Sequence, residues 1–188
     1  SEMCIRDSHV ILIGGNGRLG REAALHFAQQ YQARLTLIGR SRLDEDKRAF
    51  LEKLRASGGQ AHYLEADLGV FNQIAVVLDQ AFKTYGPAAL LIQSAVDPVF
   101  MRLERTDKTE FESALVPKVT GLVNLLDALR TRPVGGLMVF SSIGGFQGFP
   151  GNEGQASYCA ACTFEASQAQ LAWTDLNIPT RVIHYGLW

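Results

Sequence analysis

Apolar residues in this chain fall into short runs that stop at glycine, proline or a charged residue; between the runs they recur at helical spacing. The runs His9–Ile13, Arg34–Ile38, Ala61–Glu65, Ala88–Ile92, Leu137–Phe140 and Thr180–Tyr185 predict β-strands. From Leu19 to Gln30, residues Leu19, Ala23 and Phe27 share one helical face, and from Phe71 to Phe82 the face is Phe71, Ile74, Leu78 and Ala81. A further face runs through Phe111, Leu115, Leu122, Leu125 and Leu129. Strands alternating with helices predict an α/β chain whose parallel sheet is covered by helices on both sides. No linker, repeat or low-complexity segment divides it, so a single domain is expected.

Composition narrows the function classes. The chain has 188 residues, 47% apolar and 20% charged, enough for one full hydrophobic core. With a net charge of −1 and scattered basic residues, it lacks the basic patch of a nucleic-acid binder, and no such partner is expected. The apolar runs are too short for a membrane span. Cys4, Cys159 and Cys162 have no metal-site spacing and predict reduced thiols in a cytoplasmic protein.

The first strand runs into Gly14-Gly15-Asn16-Gly17-Arg18-Leu19-Gly20 and then a helix. Glycines there allow a tight turn, let backbone approach a pyrophosphate and aim the helix N-terminus at its charge. A plain strand-to-helix turn is the alternative. In this context the fold predicted is the Rossmann-type doubly wound sheet, with a dinucleotide as ligand. The second strand ends in Gly39-Arg40-Ser41-Arg42, where an acidic residue would hold the ribose of NAD. Arginine there suits the 2′-phosphate of NADPH, or else belongs to a solvated basic turn. Asp67, in Glu65-Ala66-Asp67-Leu68, is placed either to accept from an adenine amino group or to cap a helix.

Lys118 falls on the apolar stripe of Phe111 to Leu129, where lysine needs a purpose unless it snorkels at the helix edge. Asp107 and Glu110 predict the start of this helix, and Pro117 is expected to bend it and aim Lys118 at the cleft. The fifth strand ends at Ser141-Ser142, and a glycine-rich loop leads to Gln155-Ala156-Ser157-Tyr158 at the head of a helix. Ligands bind at such strand ends, which puts Ser142 beside a substrate carbonyl and Tyr158 facing it.

Ordinary short-chain dehydrogenases carry a lysine four residues after this tyrosine, where this chain has Cys162. The segment Leu115-Val116-Pro117-Lys118-Val119-Thr120-Gly121-Leu122 resembles the upstream lysine motif of polyketide synthase ketoreductases. Phe140-Ser141-Ser142-Ile143, Gly154-Gln155-Ala156-Ser157-Tyr158 and His184-Tyr185-Gly186-Leu187-Trp188 resemble that family's other signatures, so the likeness spans residues 9–188. It implies reduction by NADPH of a β-ketoacyl thioester on an acyl carrier protein, beside other domains of the same synthase. Lys118, Ser142 and Tyr158 are then the catalytic set, Lys118 lowering the tyrosine pKa and holding the nicotinamide ribose. Gly14, Gly15, Asn16, Gly17, Leu19, Gly20, Arg40, Ser41, Asp67, Leu68 and Ser94 are the expected cofactor contacts.

The resemblance has departures. Cys162 stands at the family's asparagine position, and some ketoreductases of synthases with separate acyltransferases carry Tyr-x-x-x-Cys-Thr-Phe in the same way. Ile92-Gln93-Ser94-Ala95-Val96 matches the family's His-Ala-Ala-Gly-like stretch poorly. Pro98-Val99-Phe100 replaces the leucine and paired aspartates of one stereochemical class, and no tryptophan before Tyr158 marks the other; the product's hand is therefore not predicted. The loop before Tyr158 is longer than usual around Asn152-Glu153-Gly154. Met3-Cys4-Ile5-Arg6-Asp7-Ser8 resembles a translated sequencing adapter, so residues 1–8 are expected to be a scar and the domain to be truncated at both ends, its substrate lid falling beyond Trp188. The rival expectations are a free-standing reductase of small carbonyls and a ketoreductase-like domain that is purely structural.

Overall fold

The computed structural model describes residues 6–97, 101–146 and 153–186. Among these, one sheet is formed by β1 (His9–Ile13), β2 (Arg34–Gly39), β3 (Gln60–Glu65), β4 (Leu90–Gln93), β5 (Leu137–Ser142) and β6 (Thr180–Tyr185). Its order is β3-β2-β1-β4-β5-β6, with every neighbouring pair parallel. The chain winds outward from β1 to β3, returns past β1 to β4 and winds out again, so the carboxyl ends of β1 and β4 flank the switch point.

The helices are α1 (Arg18–Tyr31), α2 (Glu45–Ala56), α3 (Phe71–Tyr85), α4 (Lys108–Leu115), α5 (Thr120–Leu129) and α6 (Ala156–Leu176). β1 is apolar after His9 because both its faces are covered. Val10 and Leu12 pack with Ala24, Ala28, Phe50 and Leu54 of α1 and α2. Ile11 and Ile13 pack on the opposite side with Ile74, Leu78, Leu122 and Leu125 of α3 and α5.

The predicted strands are all present; β1 and β6 have the predicted bounds and the other four differ at their ends. β4 starts at Leu90 rather than Ala88 and runs to Gln93; β5 continues through the polar pair Ser141-Ser142, which find partners in His184 and Tyr185 of β6. The continuous helical face from Phe111 to Leu129 is corrected: the chain breaks at residues 116–119 into α4 and α5. Pro117 offers no backbone donor there, and Gly121 N closes the turn on Val116 O at 2.7 Å. The predicted start of α4 is a capping box, with Glu110 N donating to Asp107 at 2.8 Å and Asp107 N donating to Glu110 at 3.1 Å. Residues 1–5 (Cys4 included), Pro98-Val99-Phe100, Asn152 and Leu187-Trp188 lie outside the described residues.

At the amino edge of the sheet, buried His9 donates from Nδ1 to the Gly86 carbonyl at 2.8 Å, and its Nε2 accepts from Thr36 at 2.8 Å. Thr36 Oγ1 in turn accepts from His62 Nε2 at 3.2 Å. Both roles of the His9 ring need it neutral, and burial, with His62 and Arg34 nearby, pushes its pKa down to about 4. Below the pKa of an unfolded histidine, the unfolded chain takes up a proton that folded His9 refuses. Stability is therefore undiminished by His9 near neutrality and falls by about 2–3 kcal/mol as pH drops to about 4. Urea denaturation of wild type and His9→Gln is expected to show the larger acid loss in wild type; equal losses would exclude His9 as the cause.

Candidate active site

β1 delivers the chain to the switch point at Ile13, where it must turn sharply into α1. Gly14 has φ +75°, and a Cβ on it would fall 2.6 Å from Ala95 N; a Cβ on Gly20 would fall 2.4 Å from Gly14 O. Gly17 N closes the turn on Gly14 O at 2.8 Å, and Gly17, as the N-cap of α1, brings no capping side chain. The first N–H groups of the helix are thereby left for a ligand. Asn16 carries a buried amide whose oxygen and nitrogen have no hydrogen-bond partner among the described residues. A cavity of about 440 Å³ opens here, lined among others by Gly14, Asn16, Gly17, Ser41, Leu68 and Ser94. Orphaned Asn16, the side-chain-free turn and the helix terminus fit the pyrophosphate of a dinucleotide.

The expected cofactor contacts divide. Arg40 also lines this cavity, and Leu19 and Ser94 line the one next to it. Gly15, Gly20 and Asp67 are not among the lining residues. A Cβ on Gly15 would meet the Leu37 side chain at 2.8 Å, so Gly15 serves packing. One oxygen of Asp67 accepts from Gly69 N at 2.8 Å, and the N-cap of α3 is Val70, not Asp67. Arg40 is exposed and donates to Asp97 at 3.0 Å, linking the end of β2 to the chain beyond β4. Such a surface pair contributes little energy and yields readily to a stronger anion.

A second cavity, of about 140 Å³, adjoins the first and shares Ser94 and Val96 with it. Lys118, Ser142, Tyr158 and Tyr185 line it, which brings together the three expected catalytic side chains from the α4–α5 turn, β5 and α6. Ser142 Oγ accepts from Gly144 N at 3.0 Å, and the Ser142 carbonyl lies 3.2 Å from His184 Nδ1. Tyr158 stands in the first turn of α6 with Lys118 Nζ 6.0 Å from its ring centre.

Lys118 is only 2% exposed, so it does not snorkel. Its ammonium donates to Phe140 O at 2.9 Å and to Glu165 Oε2 at 2.7 Å. The positive charge is thus engaged by Phe140 O and Glu165. Burial, reinforced by Cys162 and by the Glu165 charge, pushes Tyr158 up to about 12, against a smaller opposing effect of Ser142. Burial also raises the Cys162 thiol, with Lys118 working against it. Glu165 is a site residue the sequence reading missed. A second is Gln93, fully buried, whose Nε2 donates to Pro117 O at 2.9 Å and whose Oε1 accepts from Ala95 N at 3.1 Å. The sequence departure at β4 therefore ties the lysine turn to Ala95 in the wall of the larger cavity.

Just ahead of α6, Met101 N donates to Gly154 O at 2.8 Å and Arg102 pairs with Glu153 at 2.6 Å. Cys159 and Cys162 are free thiols. No helix among the described residues is long and apolar enough to cross a membrane.

A doubly wound sheet with a glycine turn at its switch point defines a dinucleotide fold, and a helical tyrosine meeting a β5 serine narrows it to the short-chain dehydrogenase class. Within that class, residues 8–188 match the model of the KR domain. The chain belongs to this family, the ketoreductase domains. Polyketide synthase PksL of Bacillus subtilis (strain 168) is 36% identical over 166 residues, which cover 87% of this chain and 4% of that protein. Polyketide synthase ThaG of Burkholderia thailandensis is 28% identical over 178 residues, 95% of this chain and 3% of that protein. The crystal structure of a ketoreductase domain from the bacillaene assembly line superposes with a TM-score of 0.90 at 30% identity, covering 97% of this chain and 45% of that one. The chain therefore spans a small part of these synthases and under half of that solved domain.

Proposed function

We propose that this chain reduces the ketone of a β-ketoacyl thioester, carried by an acyl carrier protein, to the β-hydroxyacyl thioester, within a cytoplasmic polyketide synthase and with NADPH as coenzyme. The observation that carries this reading is the meeting of Ser142, Tyr158 and Lys118 in one cavity that shares Ser94 and Val96 with the glycine-lined one. NADPH, when bound, supplies the hydride. The Gly14–Gly17 turn and the α1 N-terminus would hold its pyrophosphate, and Arg40, which pairs with Asp97, would hold the 2′-phosphate. Ser142, whose oxygen is held by Gly144 N, has its hydroxyl proton available to donate to the substrate carbonyl. Tyr158, with its pKa at about 12, is protonated at neutral pH and supplies the proton that completes the alcohol.

The test mixes the chain, NADPH and a soluble β-ketoacyl thioester. Oxidation of NADPH with formation of the β-hydroxyacyl thioester is expected; NADPH binding without turnover would leave a structural domain. Arg40→Ala is expected to weaken NADPH binding by about tenfold or more, since it removes hydrogen bonds to a charged group, and to leave NADH binding unchanged. Equal weakening of both would place Arg40 away from the 2′-phosphate.

A further inference from the structure

Beyond the end of β2, Lys47 lines the larger cavity together with Arg40, Ser41 and Tyr63. It is only 7% exposed, although lysine is rarely buried without a partner. The wall around it is held by Tyr63 of β3, whose hydroxyl lies 2.9 Å from Gly39 O and 2.5 Å from Ser41 O. Lys47 is the third residue of α2, whose N-cap is Asp44. A cation there meets the positive end of the helix dipole, and burial adds a desolvation cost. Asp44 meets part of that cost: its carboxylate accepts from Lys47 N at 2.9 Å and pairs with the Lys47 ammonium. The Asp44 side chain is 57% exposed, however, and the other two donors of the ammonium have no acceptor among the described residues. A buried cation at a helix N-terminus, facing a cavity with donors to spare, is suited to an anion that enters that cavity.

We propose, resting on the NADPH reading, that Lys47 is a specificity-determining residue: its ammonium takes the 2′-phosphate together with Arg40 and so discriminates NADPH from NADH. The two cations contribute differently. The Arg40 side chain is 65% exposed and pairs with Asp97, so it must leave water and be ordered on binding. The Lys47 side chain, 9% exposed, is already fixed and poorly hydrated, and gives up less to meet the phosphate. NADH presents a hydroxyl at the same place and gains nothing from a second cation. Arg21 of α1, which also lines the cavity, is otherwise engaged: it pairs with Asp46, lies 4.7 Å from the Phe50 ring centre and donates to Asn16 O at 3.1 Å, bracing the glycine turn against α2. Asp44 is then the carboxylate that competes with the phosphate for Lys47. The hydrogen bond from Lys47 holds its carboxyl below the usual range, so it stays ionised at neutral pH.

The test titrates the chain with NADPH and with NADH, followed by coenzyme fluorescence, and needs no turnover. Lys47→Gln is expected to weaken NADPH binding by about tenfold or more, the scale of hydrogen bonds lost to a charged group, and to leave NADH within about twofold of wild type. Lys47→Arg, which restores the charge, should recover most of the loss. Asp44→Asn keeps a good N-cap while removing the competing charge, and should tighten NADPH by about twofold to fivefold with NADH unchanged. A smaller loss in Lys47→Gln, or an equal loss for both coenzymes, would overturn the proposal, since a merely structural lysine has no means of telling them apart. Should Lys47→Gln not fold, Asp44→Asn decides: NADPH binding unchanged or weakened would overturn it. Wild type that binds NADH as tightly as NADPH would reject the NADPH reading and this role with it. A preference for NADPH that is lost in Arg40→Ala but kept in Lys47→Gln would remove Lys47 alone.

Discussion

Replacing Tyr158 by phenylalanine is expected to reduce turnover of a β-ketoacyl thioester by about a thousandfold, the scale of a lost general acid, while NADPH binding stays within about twofold of wild type. Only the hydroxyl is removed: the ring remains in the first turn of α6, with Lys118 Nζ still able to stand 6.0 Å from its centre. The glycine turn lies across the neighbouring cavity and makes no use of that hydroxyl. Stopped-flow NADPH oxidation and fluorescence titration of NADPH measure the two quantities. Turnover within tenfold of wild type would remove Tyr158 from the chemistry.

The second large effect is on stability. Lys118→Met should cost about 3–5 kcal/mol at neutral pH, because it strands the fully buried Glu165 carboxylate without the ammonium that pairs with it. Without the lysine, the carboxyl's pKa rises further in the folded chain, so the folded state binds the proton more readily than the unfolded one. The penalty should therefore shrink as pH falls towards the range of an unfolded carboxylate. Urea denaturation of Lys118→Met and of Lys118→Met with Glu165→Leu checks this: the double variant should recover most of the loss. A single variant as stable as wild type would mean that the pair carries no structural weight.

The fold was legible because its signals are local. Five residues of β1, the helical face of α1 and the glycine turn between them lie within about one βα unit, and two-sided cover makes a strand continuously apolar. Lys118 was legible for the same reason, as a charge on an apolar stripe. Its partner was not. α6 is rich in alanine around its whole circumference, so its buried stripe, Ala161, Cys162, Glu165, Ala169 and Ala172, hardly differs from its other faces. The spacing that places Glu165 among buried positions was present, but only a packed partner reveals which face is inside. The pairing of Arg40 with Asp97 was hidden differently, since 57 residues separate them and only the sheet order brings them together. The break at Pro117 was read as a bend because a stripe that continues in phase on both sides gives no sign that the helix stops between.

None of His9, Thr36 and His62, which are joined by hydrogen bonds, lines either of the two cavities assigned to chemistry. The acid sensitivity due to His9 and the proton delivery proposed for Tyr158 therefore rest on separate positions. An acid-hardened variant can be sought by altering that row alone, with Tyr158 and its neighbours left as they are, and selection for one trait need not be bought with the other.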